Sequence, residues 1–345
     1  MCEAQTVNFL NIAVVGCGHG MLDEIYSTLT LLCMEKSIQI HLLIICGDFQ
    51  AIRDENDLDS MAVPEKFRVL GSFTDYYHGV KVAPFLTLFI GGNHESSKLM
   101  KDLCMGGWVA QNIYYMGLAN VVSFAGLRIG GLSGIYNQRH YKQHHYESHP
   151  FSEDQKRSIY HVREEDVKKF LNLRTGVDIF ISHDWPVGIT DYGDVGQLIR
   201  KKPFFQEDIA NKQLGNPYSF QILTHLAPSY WFSGHLHVKF AAVVAHSEST
   251  VTRFLALDKV GNNREFLQIV NLPRLTEDLS LKYDLEWINL LKSNSQPVDE
   301  QTDIDIRIPV PLVFDRSQTS AFCEKFNISH YWFQQDDADP NEIQI

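Results

Sequence analysis

Cysteine is scarce in this chain. Six residues, Cys2, Cys17, Cys33, Cys46, Cys104 and Cys323, are scattered over 345 positions, and no two form a Cys-x-x-Cys pair. That spacing excludes a disulfide-stapled scaffold and a cysteine zinc module, and it suits a reducing compartment. Long hydrophobic runs are missing as well: nothing approaches the ~20 apolar residues of a membrane span. No membrane is therefore expected among the partners. Met1 to Asn11 carries no basic stretch before its first apolar run, so no signal peptide is expected. Positive charge is also in short supply. Thirty Lys and Arg stand against 42 Asp and Glu, a formal net charge of −12, which argues against a generic nucleic-acid binder held by a basic surface.

What is present is an ordinary globular composition, 44% hydrophobic and 21% charged, with length for one large α/β domain plus an appendage, or for two domains. Histidine is abundant, at 15 residues. The acid is uneven: from Asn271 onward 14 acidic residues face 6 basic ones. An anionic substrate could still be held upstream if metal ions supply local positive charge.

The first 250 residues alternate short apolar runs with helical patterns. The runs Asn11–Val15, Ile40–Cys46, Phe85–Ile90, Val177–Ser182 and Ser229–Ser233 predict strands. Leu22, Ile25, Leu29 and Leu32 recur at helical spacing, as do Leu99, Met100, Leu103 and Cys104 after Ser96, which is suited to an N-cap. Val167, Phe170 and Leu171 mark a third helix. Strands alternating with helices imply a layered α/β core. Two regions break the pattern. Ser133–His161 is long and polar, with His140, His144, His145, His149 and His161, and a loop of that length inside a domain is either functional or disordered. Beyond about Asn271 the chain turns acidic, with a helix expected around Leu279–Lys292 and a linker at Ser293–Asp305.

The chemistry sits at the strand ends. In order they read Gly16-Cys17-Gly18-His19, Cys46-Gly47-Asp48, Gly91-Gly92-Asn93-His94-Glu95, Ser182-His183-Asp184 and Gly234-His235-Leu236-His237. In open α/β sheets ligands bind outside the carboxyl ends of strands. One thiol, one carboxylate, one amide oxygen and four imidazoles suit two divalent metals that share a carboxylate. A dinucleotide loop at Gly16–Gly20 is the weaker alternative. Its third glycine falls one residue early, and a nucleotide fold gives no reason for histidines at later strand ends. Cys33, Cys46 and Cys104 lie in apolar patterns and read as core.

These five motifs, in this order over about 220 residues, resemble the calcineurin-like metallophosphoesterase superfamily. One departure is clear: Cys17 stands where most members carry Asp. That thiol, with His183-Asp184-Trp185-Pro186, Ser133-Gly134-Ile135-Tyr136-Asn137, Gly234-His235-Leu236-His237-Val238-Lys239-Phe240 and Phe254-Leu255-Ala256-Leu257-Asp258-Lys259, is similar to the branch that debranches RNA lariats.

The resemblance implies a four-layer αββα sandwich over residues 1–270. Residues 133–161 would form an inserted lariat-recognition loop, and 271–345 a smaller, acidic, partly helical region. It implies metal-dependent hydrolysis of the 2′–5′ phosphodiester at the branch point of excised intron lariats. Cys17, His19, Asp48 and His237 would hold one metal, and Asp48, Asn93, His183 and His235 the other, with Asp48 bridging. His94 would be the general acid and Glu95 its orienting partner. The metals expected are Fe(II), Zn(II) or Mn(II), with no organic cofactor. The partner would be branched intron RNA, the protein a monomer, and the location nuclear and also cytoplasmic. Tyr136, Asn137, Arg139, Tyr141 and Lys142 are the candidate RNA contacts, by stacking on splayed bases and by holding phosphates. A phosphoesterase with another substrate, and a catalytically silent scaffold, remain open at this point.

Overall fold

Strands that are apolar at every position, as in Leu42-Leu43-Ile44-Ile45, need cover on both faces. The computed structural model, which describes residues 9–292 and 305–329, meets that need with two sheets packed face to face. The strands are β1 (Phe9–Val15), β2 (Leu42–Ile45), β3 (Thr87–Phe89), β4 (Gly107–Ala110), β5 (Ile113–Tyr115), β6 (Ala119–Phe124) and β7 (Leu127–Leu132). They continue with β8 (Ile179–Ser182), β9 (Tyr230–Ser233), β10 (Phe240–Ala245), β11 (Val251–Ala256), β12 (Leu267–Pro273) and β13 (Leu281–Tyr283). The first sheet has the order β12-β1-β2-β3-β5-β4 and the second β10-β11-β9-β8-β7-β6-β13. Each has a parallel centre, β1-β2-β3-β5 in one and β11-β9-β8-β7 in the other.

Alternation along each strand assigns its residues to layers. Leu10, Ile12, Val14, Leu42, Ile44 and Leu88 meet Ile129, Ile179, Ile181 and Phe232 between the sheets. Ala13, Val15, Leu43 and Ile45 face outward onto Leu22, Ile25, Tyr26 and Leu29 of the helix Leu22–Lys36. On the far side, Phe180 and Trp231 pack with Phe170 of the helix Glu164–Leu171 and with Ile222, Leu223 and Leu226 of the helix Ser219–Leu226. Each fully buried Leu or Ile contributes ~1.5–3 kcal/mol. The result is the four-layer αββα sandwich that the motifs imply. Ser96 caps the helix Ser97–Asp102 as expected, its hydroxyl accepting from the Leu99 N–H at 3.1 Å.

The described parts of the acidic region pack onto the sandwich. β12 pairs with β1 along its whole length, from Leu267 opposite Val15 to Pro273 opposite Phe9. Residue 270 lies inside that strand. Phe322 and Phe326 of the helix Ser317–Phe326 pack against Met100, Cys104 and Ile288. The helix expected at Leu279–Lys292 needs correction. Leu281–Tyr283 pairs with the edge strand β6, and only Leu285–Leu291 is helical, capped by Asp284 accepting from the Trp287 N–H at 2.9 Å. A free sheet edge overrode helical propensity there. The expected linker at Ser293–Asp305 lies outside the described residues except for Asp305.

Candidate metal centre

The carboxyl ends of β1, β2, β3, β8 and β9, drawn from both sheets, converge on one edge of the sandwich. Sharp turns bring them there. His19, Asp48, His235 and His237 all adopt left-handed backbone, with φ of 46°, 45°, 65° and 49°. For non-glycine residues this costs about 1 kcal/mol or more each and is retained where the surroundings over-determine it, typically at functional sites. Two glycines make the convergence sterically possible. A Cβ on Gly47 would lie 2.2 Å from the His183 Nδ1, and one on Gly92 would lie 2.1 Å from the Asp48 Oδ1.

Asp48 is the centre of the arrangement. Its Oδ2 lies 3.6 Å from the His19 Nε2, and its Oδ1 lies 3.4 Å from the His183 Nε2. On the first side, Cys17, His19, Asp48 and His237 present ligand atoms that are all within 4.8 Å of one another. On the second side, the Asn93 Oδ1 is 3.3 Å from the His183 Nε2, and the His183 and His235 rings are 5.0 Å apart. Candidate donors thus lie on two sides of one buried carboxylate, with His19 on one and His183 on the other. The His183 Nδ1 donates to the Cys46 carbonyl at 2.7 Å, which turns its Nε2 toward the centre.

The electrostatics fit cations. Burial first, and then neighbouring charge, chiefly His94 for His19 and His19 for His237, lower His19 to about 4 and His237 to about 3, so both imidazoles are neutral and able to ligate near pH 7. Burial disfavours a charged Asp48, but His183, His94 and His19 outweigh it and hold the carboxyl well below the usual range. Burial and Asp48 push the Cys17 thiol well up. A thiolate there needs compensating positive charge, which a divalent metal supplies.

Glu95 has a different part from the one expected. Its carboxylate accepts from the backbone N–H of Phe49 at 2.7 Å, Gln50 at 2.8 Å and Gly92 at 3.1 Å. It ties the loop after β2 to the loop after β3, and its hydrogen bonds go to these backbone groups and not to the His94 ring. Burial and Asp48 raise it to about 7. His94 is held by its own backbone, whose N–H donates to the Asp48 Oδ1 at 3.0 Å. Its half-buried ring meets His19 edge-on at 5.4 Å.

The five proposed RNA contacts are scattered. Tyr136 is half-buried, and its N–H donates to the Asp184 Oδ2 at 3.1 Å, which fixes it beside His183. Asn137 is half-buried and its side chain accepts from the Arg139 N–H at 3.0 Å. Arg139 and Lys142 are exposed. Tyr141 needs correction: it is buried, and its ring stacks on Tyr218 at 3.8 Å and 5°. A face already covered cannot stack on a base. Tyr218, which also meets Tyr136 at 5.7 Å, was invisible in the sequence because it lies far along the chain in an unremarkable stretch.

Two family models match. The one described as "Calcineurin-like phosphoesterase" covers residues 10–239, and "Lariat debranching enzyme, C-terminal domain" covers 249–312. The chain belongs to the lariat debranching family of calcineurin-like phosphoesterases. Family members that it resembles include the lariat debranching enzyme of Arabidopsis thaliana, 50% identical over 82% of this chain and 68% of that protein. Lariat debranching enzyme A of Xenopus laevis is 50% identical over 82% and 54%, and the lariat debranching enzyme of Homo sapiens 48% identical over 84% and 55%. The chain thus spans little more than half the length of the two vertebrate family members.

Proposed function

We propose that this chain hydrolyses the 2′–5′ phosphodiester at the branch point of lariat RNA and so linearises excised introns. The observation that carries this reading is the Asp48 carboxylate facing two donor groups, one of them containing the Cys17 thiol, in a chain about half identical to curated debranching enzymes over most of its length. Cys17, His19 and His237 would hold one divalent metal and Asn93, His183 and His235 the other, with Asp48 between them. Thiolate and imidazole favour Fe(II) or Zn(II), while carboxylate and amide oxygen accept Mn(II). When bound, such a pair neutralises phosphate charge and generates hydroxide near neutral pH.

The protein's own groups do the rest. The departing 2′-oxygen of a ribose is a poor leaving group and needs a proton. His94, anchored by its backbone to Asp48 and half open to solvent, is positioned to donate it. Glu95 keeps the two strand-end loops in register so that His94 and Asp48 hold their relative places. Tyr136, beside Asp184, offers a ring at the rim for a splayed base. Because introns are released in the nucleus, we place the activity there, with a cytoplasmic fraction, and in a monomer.

The test is anaerobically purified protein, with its metals measured, given branched RNA and a linear RNA of the same sequence. Release of linear product from the branch, with 3′–5′ linkages left intact, supports the proposal. Equal cleavage of both would reduce it to a general phosphodiesterase, and no cleavage by metal-loaded protein would sink it.

A further inference from the structure

Lys259 belongs to a stretch distinctive in the sequence, Asp258-Lys259, that the metal centre does not absorb. β11 runs parallel to β9, with Ala256 opposite Ser233. It therefore releases Leu257, Asp258 and Lys259 at the same sheet end as His235 and His237. From there the chain crosses to the first sheet, passing over the end of β1. The Gly16 N–H donates to the Phe266 carbonyl at 3.1 Å, and the Val260 N–H to the Cys17 carbonyl at 3.0 Å. Lys259 itself forms a bridge with Cys17, and its N–H donates to the Asp258 Oδ1 at 2.7 Å. Its backbone is thus pinned against a metal ligand from both sides.

The neighbouring charges are already paired. Asp258 takes Arg264 at 2.8 Å, and Glu265 takes Lys201 at 3.0 Å and Lys239 at 3.6 Å. Among the described residues no carboxylate lies within ion-pair distance of Lys259, which is half-buried and bridges Cys17 through its backbone. In a chain of net charge −12, a lysine without a carboxylate partner, on the segment that flanks Cys17, is available to meet an anion there.

We propose that Lys259 is a substrate-positioning residue that holds a phosphate of the branched RNA flanking the scissile one. This rests on the debranching reading. A branch nucleotide carries three phosphodiesters; the scissile one would be held by the residues around Asp48, and a cation beside the Cys17–His19–His237 side would meet a neighbouring phosphate. A Lys point charge suits that contact, which needs reach and charge and no fixed fork.

The experiment compares wild type, Lys259→Gln and Lys259→Arg on branched RNA across a range of salt concentrations, with metal content measured for each. Lys259→Gln should keep two metals per chain and raise KM about tenfold, the scale of one charge-assisted contact, with a much smaller change in kcat. The slope of log KM against log salt should become shallower by about 0.7, as expected for one phosphate contact on single-stranded RNA. Lys259→Arg should recover most of the KM. Loss of metal in Lys259→Gln, a fall in kcat with KM unmoved, or an unchanged salt slope would each overturn the inference while the debranching reading stands. Wild-type protein that leaves branched RNA intact would overturn both.

Discussion

The strand-end cluster and the Ser133–His161 segment look alike on the page, both polar and both rich in histidine, yet they use those histidines in opposite ways. At the strand ends, imidazoles from three separated motifs gather around one carboxylate, and His19, His235 and His237 among them are held in left-handed backbone. In the segment the histidines are mostly struts. His145 pairs with Asp166 at 3.0 Å, and His140 with His161 at 2.7 Å, and all four are buried. Beneath them the fully buried Glu147 and Arg163 meet at 2.5 Å, while Lys101 donates to the Glu147 carbonyl at 2.7 Å. The segment is therefore built into the domain and is not a detachable flap. A buried imidazole is a ligand when its partners converge on empty coordination directions, and a brace when another side chain already fills them.

Breaking the first region should abolish chemistry without unfolding the chain. Asp48→Ala should give the largest effect, with both metals lost and turnover at background. Metal analysis beside a branched-RNA assay checks it, and retention of two metals would remove Asp48 from the bridging position. His94→Ala should keep both metals and lose ~10²-fold or more in kcat. A near wild-type rate would mean that another group supplies the proton.

Breaking the second region should do the reverse. Arg163→Met removes the guanidinium from the buried Glu147, leaving His145, Ser158 and the Tyr146 N–H around its carboxylate, at a cost of up to ~3–5 kcal/mol. Denaturant titration reads the loss, and the fraction that remains folded should still bind two metals. A gentler probe of the same pair is pH. Burial opposes ionisation of Glu147, but His145 and Arg163 prevail and hold it at about 2, below its ordinary 4.5. A depressed carboxylate stabilises the fold above 4.5, and that stability drains as pH falls from 4.5 toward 2. Stability measured down this range should decline in wild type and flatten in Glu147→Gln; parallel curves would show that Glu147 is not the group responsible. The smallest effect is expected from Tyr218→Leu, which removes the stack on Tyr141 and should cost ~1 kcal/mol. A loss several times larger would mean that the ring holds more than its neighbour.

The sequence alone placed the candidate ligands at strand ends and showed an α/β pattern of strands and helices. Runs such as Leu42-Leu43-Ile44-Ile45 demand cover on both faces, and the five motifs place thiol, carboxylate, amide and imidazoles at strand ends, because these facts depend on residue type and short spacing. Tertiary structure decided what depends on partners distant in the chain. It made Leu281–Tyr283 a strand by offering it the edge of β6, and it turned the Glu95 carboxylate toward three backbone N–H groups and away from His94. It spent the face of Tyr141 on Tyr218, and it set Lys259 beside Cys17 with no carboxylate among the described residues within ion-pair distance. Apart from the local Gly92 contact of Glu95, each of these outcomes joins residues far apart in the chain, from 45 positions for Gln50 and Glu95 upward, and such a choice is made only when the two sheets close.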